Sequence, residues 1–266
     1  MTIRKYPILI LIFIGMSGIP TTAQSDFQVV KEWKLKGVNL VTVDRLGNFF
    51  IQQKKRLRKY DPDGKQLASL TQKSIRVEPW YHPSVFIFNQ AARNYIVYDR
   101  NLENGVTHAI DPAVAIEPVL VCPTHDNKLW ILDQADWSAK KINPLTNEVL
   151  LEFSIDQANF KADVQIREYL NLLILVDKNA GILILNHLGK VIESIEVQNL
   201  KSVYFFGEEL YYLQDSTLKF FNLLTEEQHE LKLPGNCVHA VLTDERLLLI
   251  DANGKVTLFR YTPEPE

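Results

Sequence analysis

The residues able to do chemistry sit in a few short stretches. His125 and Asp126 are neighbours in "CPTHDNKLW", where an imidazole beside a carboxylate offers a base and the group that orients it. Adjacent residues on a strand point to opposite faces, so such a pair cannot cooperate there; a turn between two strands is the expected setting. His239 in "CVHAVL" falls on a strand, and both histidines are expected to be structural. "KKRLRK" (Lys54 to Lys59) packs bases closely, with Lys54, Lys55 and Arg56 leading. Such a cluster attracts phosphates or an acidic membrane surface. "NQAARNYIV" aligns without a gap to "DQADWSAKK", so that Gln90-Ala91 recurs as Gln134-Ala135 and Arg93 and Trp137 share one place near a hairpin tip. An exposed Trp beside an Arg is the composition of an interface anchor. Trp80 and Tyr81 in "EPWYHP" are loop candidates for the same role. HExxH, CxxC, P-loop, GxSxG and dinucleotide signatures are all missing from the sequence, so no catalytic residue is assigned.

These residues must be positioned by a repeat. Apolar runs end at Gln53, Asn89, Asp133, Asp177, Asp215 and Asp251, a unit of about 40 residues. A second run follows each, ending at Asp61, Asp99, Asn143, Asn186, Asn222 and Arg260. Asp and Asn favour turns because the side chain bonds nearby backbone, which accounts for them better than catalysis does. "DPDGK", "NPLTN" and "NHLGK" then carry turn residues. Short, evenly spaced strands without a long amphipathic helix predict an all-β, six-bladed β-propeller.

The ends fit a ring. After "KVTLFRY" the chain stops at "TPEPE", one strand short of a sixth unit. "FQVVKEWKL" (Phe27 to Leu35) is expected to supply the missing strand and close the ring, removing edges that invite aggregation. Continuous apolar runs such as "LNLLILV" and "RLLLI" predict strands buried on both faces.

"VTVDRLGNFFIQQKKRLRKYDPDGK" (Val41 to Lys65) resembles an NHL-type propeller repeat, with its D-x-x-GN-aromatic opening and its DPDGK exit. It departs from that pattern at "QQKK", where Gln53 replaces the usual acid. The later blades more loosely resemble exported six-bladed propellers of the TolB-like/NHL shape common in Bacteroidetes. The resemblance implies fold and compartment, not an activity, because such folds host enzymes, binders and scaffolds. Lactone- and ester-hydrolysing members imply an alternative, a calcium site on the ring axis. Calcium takes six to eight oxygens; Glu78, Glu117, Asp163 and Asp244, all near inner strands, are the candidates.

At the start, Arg4 and Lys5 precede an apolar run from Ile8 to Ile19, with Thr21 and Ala23 as small residues before a cleavage point. The expectation is a signal peptide over 1–23 and one propeller domain over 24–266, exported to the periplasm or outer membrane. No second long apolar run follows. The formal charge is −3 and becomes more acidic without the leader, which argues against nucleic acid. Cys122 and Cys237 fall in blades three apart, too distant to be bridged, and two free, buried thiols are expected. The favoured function is a non-enzymatic, cofactor-free binding or scaffold module, monomeric as a fold unit, for a protein or envelope component.

Overall fold

The computed structural model describes residues 26–71, 76–79, 84–156 and 164–262. The segment 1–23 expected to be a leader and the candidates Trp80, Tyr81 and Asp163 lie outside them. Within them the chain is all β and forms a six-bladed propeller. It opens with β1 (Asp26–Lys34). Blade 1 is β2 (Val38–Val43), β3 (Phe49–Gln53), β4 (Arg56–Tyr60) and β5 (Gln66–Thr71). Blade 2 is β6 (Arg76–Glu78), β7 (Val85–Asn89), β8 (Asn94–Tyr98) and β9 (Val106–Ala109). Blade 3 is β10 (Pro118–Pro123), β11 (Leu129–Asp133), β12 (Ser138–Asn143) and β13 (Glu148–Ser154). Blade 4 is β14 (Gln165–Tyr169), β15 (Leu172–Asp177), β16 (Gly181–Leu185) and β17 (Val191–Ile195). Blade 5 is β18 (Val203–Phe206), β19 (Glu209–Gln214), β20 (Thr217–Asn222) and β21 (Gln228–Lys232). Blade 6 is β22 (His239–Leu242), β23 (Arg246–Ile250) and β24 (Lys255–Thr262).

Blade 6 takes β1 as its fourth strand. The order is β1-β24-β23-β22, with Phe27 opposite Tyr261 and Trp33 opposite Val256. β1 also reaches blade 1: Trp33 packs on Tyr60 with ring centroids 5.6 Å apart, and Lys31 Nζ donates to the Gly64 carbonyl at 2.7 Å. The closing strand therefore stitches the last blade to the first.

Second strands are buried on both faces, and alternate side chains serve opposite neighbours. Leu129 and Ile131 of β11 pack toward blade 2 with Phe86 and Phe88, while Trp130 and Leu132 pack toward blade 4 with Leu173 and Leu175. In β3, Phe49 and Ile51 face blade 6 and Phe50 faces blade 2. That is why these runs read as continuously apolar. Fourth strands such as β9 are exposed along their length.

Turn chemistry repeats as the residue types require. Asp44 Oδ1 accepts from the backbone N–H of Leu46 and of Asn48, each at 2.9 Å. Asp61 accepts from Asp63 and Lys65, Asp99 from Asn101 and Glu103, and Asn186 from Leu188 and Lys190. Gly47 (φ 75°) and Gly64 (φ 72°) take the left-handed positions of the first two turns, where a side chain would be strained.

Candidate functional site

All blades run the same way, so the propeller has two chemically distinct rims. The upper rim carries the turns between second and third strands and the segments leading into each innermost strand. The lower rim carries the turns between first and second and between third and fourth strands.

Three consecutive blades place Lys54, Arg93 and Trp137 in their upper second-to-third-strand turns. All three are left-handed, with φ of 55°, 49° and 52°. The equivalence read from the Gln-Ala alignment holds in detail. The Arg93 carbonyl accepts from Ile110 N–H at 3.1 Å, and the Trp137 carbonyl accepts from Ile155 N–H at 2.7 Å. A bulky residue with positive φ is an outlier, costing about 1–2 kcal/mol, where Asn or Gly would sit cheaply. Arg93 is exposed, whereas Trp137 is half-buried and so does not project freely as an anchor. Lys54, Lys55 and Arg56 are exposed, but strand alternation divides the rest of the basic run. Lys59 turns inward, donates to the Arg100 carbonyl at 2.8 Å and lies 3.7 Å from Asp44. Arg93, Gln90 and the exposed Glu117 line a rim groove of about 470 Å³ beside Arg76.

The ring axis opens from the upper rim into a cavity of about 360 Å³ bounded by innermost strands. Glu78 faces it and is tied to Arg167, with Nε 2.6 Å from Oε2. Gln165 Nε2 donates to the Lys201 carbonyl at 2.8 Å, and Arg76 Nη1 donates to the Val164 carbonyl at 2.6 Å. Of the calcium candidates, Glu78 is thus paired to a guanidinium inside the channel. Glu117 is exposed on the upper rim, its N–H donating to Asp133 Oδ1 at 2.8 Å. Asp244 lines a separate lower-rim cavity with Asp44 and Arg246. These three carboxylates do not form one ligand set, because the sequence pattern places acids near inner strands without fixing which end they occupy.

Chemistry-bearing groups converge instead on the lower rim between blades 3 and 4. His125 Nδ1 lies 3.0 Å from Glu168 Oε1, Trp130 Nε1 donates to Glu168 Oε2 at 2.6 Å, and Lys141 Nζ donates to the same oxygen at 3.2 Å. Lys141 also lies 3.3 Å from Asp126. His125 and Asp126 do occupy a turn, as expected; from it His125 reaches Glu168 of the next blade, while Asp126 bonds within blade 3 to Thr124 and Lys141. Among the described residues, His125, Asp126 and Glu168 are the one group of three metal-ligating side chains, with ligand atoms within 4.8 Å of one another. Lys141 already supplies the positive charge there. Glu168 is absent from the sequence reading because it is one residue of an alternating strand 43 positions from His125.

A second charged network holds the upper end of blade 3. Asp133 accepts from the N–H groups of Ile116, Glu117 and Ala135 and from Lys140. Burial acts to raise its carboxyl, and these donors outweigh it and hold the group below the usual range. His239 lines a cavity of about 230 Å³ with Cys237, Lys201 and Asp215. Burial first, and then Lys201, push its imidazole down to about 4. Both cysteines are free. Cys122 is buried on β10, but Cys237 precedes β22 in a half-buried position, contrary to the expectation of two buried thiols.

The fold and these sites define a six-bladed β-propeller with a charged axial cavity. No family model matches the chain, and no curated protein matches it. Solved structures match by shape. One is a chain of the Mitotic Checkpoint Complex (TM-score 0.58, 11% identity, 97% of this chain and 99% of that one). Another is the Neurospora crassa Pan2 WD40 domain (TM-score 0.58, 8% identity, 91% and 97%). A third is a catalytically inactive virginiamycin B lyase from Staphylococcus aureus with Quinupristin (TM-score 0.55, 13% identity, 88% and 99%). At such identities the likeness shows the fold alone.

Proposed function

We propose that this is an exported propeller of the NHL/TolB-like kind that acts as a binding module, engaging a protein or envelope component through the upper rim of blades 1 to 3. One observation carries this reading. Arg93 and Trp137 occupy the same strained last position of a four-residue turn in neighbouring blades, and Lys54 is left-handed in the shorter, two-residue turn of the blade before them, although the fold requires no cation or aromatic there. Strained backbone at a turn is a pointer to function, since such strain clusters at binding and switch sites. The axial Glu78–Arg167 pair and the lower-rim Glu168 are by contrast tied to partners within the ring. The fold supports the reading in general terms, since one matched structure is part of a multiprotein complex.

Capture from envelope extracts with the tagged protein tests it. The wild type should retain a stoichiometric partner. A Lys54→Glu/Lys55→Glu/Arg93→Ala variant should lose it by at least about tenfold, the size of a hot-spot effect, while keeping its melting temperature. A Leu145→Ser/Leu188→Ser/Leu224→Ser variant alters exposed leucines on lower-rim turns and should bind normally. Full capture by the upper-rim variant, selective loss in the lower-rim variant, or a wild type that emerges alone would each refute the assignment.

A further inference from the structure

Closing the ring gathers cations from three stretches of chain at one corner of the upper rim. Lys34 ends β1, Lys36 lies in the connection into β2, and Lys54, Lys55 and Arg56 make the turn after β3 and the start of β4. Two bonds hold this corner together: Leu35 N–H donates to the Gly254 carbonyl at 2.7 Å, and the Gln53 side-chain amide donates to the Lys36 carbonyl. All five cations are exposed, and among the described residues none of their side chains makes an ion pair or a hydrogen bond. The carboxylates of the adjoining strands are already committed. Glu32 Oε1 lies 2.7 Å from Lys255 Nζ, and Asp251 Oδ1 accepts from the N–H groups of Asn253 and Lys255, each at 2.8 Å.

The fold does not ask for cations there. A two-residue hairpin turn favours Asn-Gly, and the corresponding turn of blade 5 is Asp215-Ser216. The far side of the same rim has the opposite sign: a groove of about 830 Å³ between blades 4 and 5 is lined by Asp177, Glu196 and Asp215 and by no Lys or Arg. With a formal charge of −3 over the chain, the positive corner is local and directional. It is not a pocket, since its five cations line none of the rim or axial cavities. Four of the five are lysines, hydrated point charges on flexible stems, whereas holding one phosphate in a fixed pose favours the guanidinium fork. The exposed residues of 34–37 and 53–56 are these cations and Gly37, so the corner lacks the apolar centre of a protein interface. Such a surface attracts many negative charges presented together. We infer that this corner docks on an anionic lipid surface, its ammonium groups lying among phosphate headgroups and its attachment electrostatic and reversible. The inference rests on the reading of the upper rim as the working face and names what that face meets.

Vesicle cosedimentation tests it, using the chain without the apolar segment 1–23 and so with every described strand in place. Phosphatidylcholine vesicles containing about one-third phosphatidylglycerol should bind the protein, phosphatidylcholine alone should not, and raising salt from about 0.05 M to 0.5 M should release it. Each cation at such a surface is worth about fivefold in affinity, so Lys34→Gln/Lys36→Gln should weaken binding by at least about tenfold. Lys34→Arg/Lys36→Arg, which keeps the charge, should bind as the wild type does, and so should Lys190→Gln in blade 4. All these side chains are exposed, so an unchanged melting temperature is expected throughout. Equal binding to neutral vesicles, binding that ignores salt, or unchanged affinity in Lys34→Gln/Lys36→Gln would overturn the inference. So would release from the vesicles by polyglutamate or inorganic phosphate at a lower concentration of negative charge than the vesicles present, which would mark an acidic chain or a single phosphate as the occupant. Capture of a protein partner without vesicle binding would sink the inference and leave the upper-rim reading standing; vesicle binding with no protein captured would do the reverse.

Discussion

His239 gives a sharp test of the packing around blade 6. Its residue is 8% exposed, and burial, reinforced by Lys201, lowers the imidazole from 6.5 to about 4. Cys237, Asp215 and Tyr204 share its cavity. A base with a depressed folded-state pKa binds fewer protons folded than unfolded between those two values. Stability is therefore fully present above about pH 6.5 and is lost as pH falls toward 4. The proton-linkage relation gives a loss of about 2 kcal/mol near pH 5 and about 3 kcal/mol once the gap is fully traversed. At a urea slope of about 2–3 kcal/mol/M, the midpoint should fall by roughly 0.7–1 M between pH 7 and pH 5. The control is His239→Gln, which keeps a donor for the Val38 carbonyl that the imidazole bonds but cannot titrate. The other buried or ion-paired groups whose range is clearly displaced fall outside this window. Asp126, Asp133 and Asp136 have lowered carboxyls, so their contribution is lost only below about pH 4. Lys140 is raised by Asp136 and Asp133 against burial, and its contribution disappears only at alkaline pH. The measurement is the difference in urea midpoint between wild type and variant at each pH. Parallel curves from pH 7 to pH 5 would show that His239 is hydrated in solution and that the reasoning is wrong.

Four further outcomes are expected. Arg167→Met should cost about 3–5 kcal/mol by removing the guanidinium paired with the buried Glu78 carboxylate; the Arg167→Met/Glu78→Met double variant should recover most of it in chemical denaturation, and failure to recover would mean the pair is not coupled. Glu168→Ala leaves the Trp130 N–H without its acceptor and Lys141 with Asp126 alone and should destabilise by about 2–4 kcal/mol, with a shift in Trp fluorescence. Gly181→Ala should destabilise by more than about 2 kcal/mol: φ is +114°, and a Cβ would meet the Ile195 carbonyl oxygen at 2.1 Å. Trp33→Ala removes the contact of the closing strand with Tyr60 and should cost about 2–3 kcal/mol, with amide exchange accelerated in β1 and β24 ahead of the other blades.

The sequence by itself determined the architecture. Strand period, apolar burial and turn chemistry are local properties, and each repeats in every blade. Asp61 and Asn186 therefore announce their turns within five residues, and "LWILD" announces a strand buried on both faces. Ring closure by Phe27 to Leu35 was legible for the same reason, because a unit lacking one strand requires one from elsewhere. The equivalence of Arg93 and Trp137 followed from a short local alignment, although the half-burial of Trp137 did not. The tertiary structure decided which charges meet. Glu78 finds Arg167, and His125 finds Glu168, across blade boundaries that no local pattern encodes. Of the acids named from the sequence as one set, Glu78 lies in the channel, Glu117 on the upper rim and Asp244 on the lower rim, because nearness to an inner strand does not say which end of it a residue occupies. Whether the axis carries positive or negative charge is a sum over innermost strands far apart in the chain, and only closing the ring brings Arg76, Arg167 and Lys201 around one cavity.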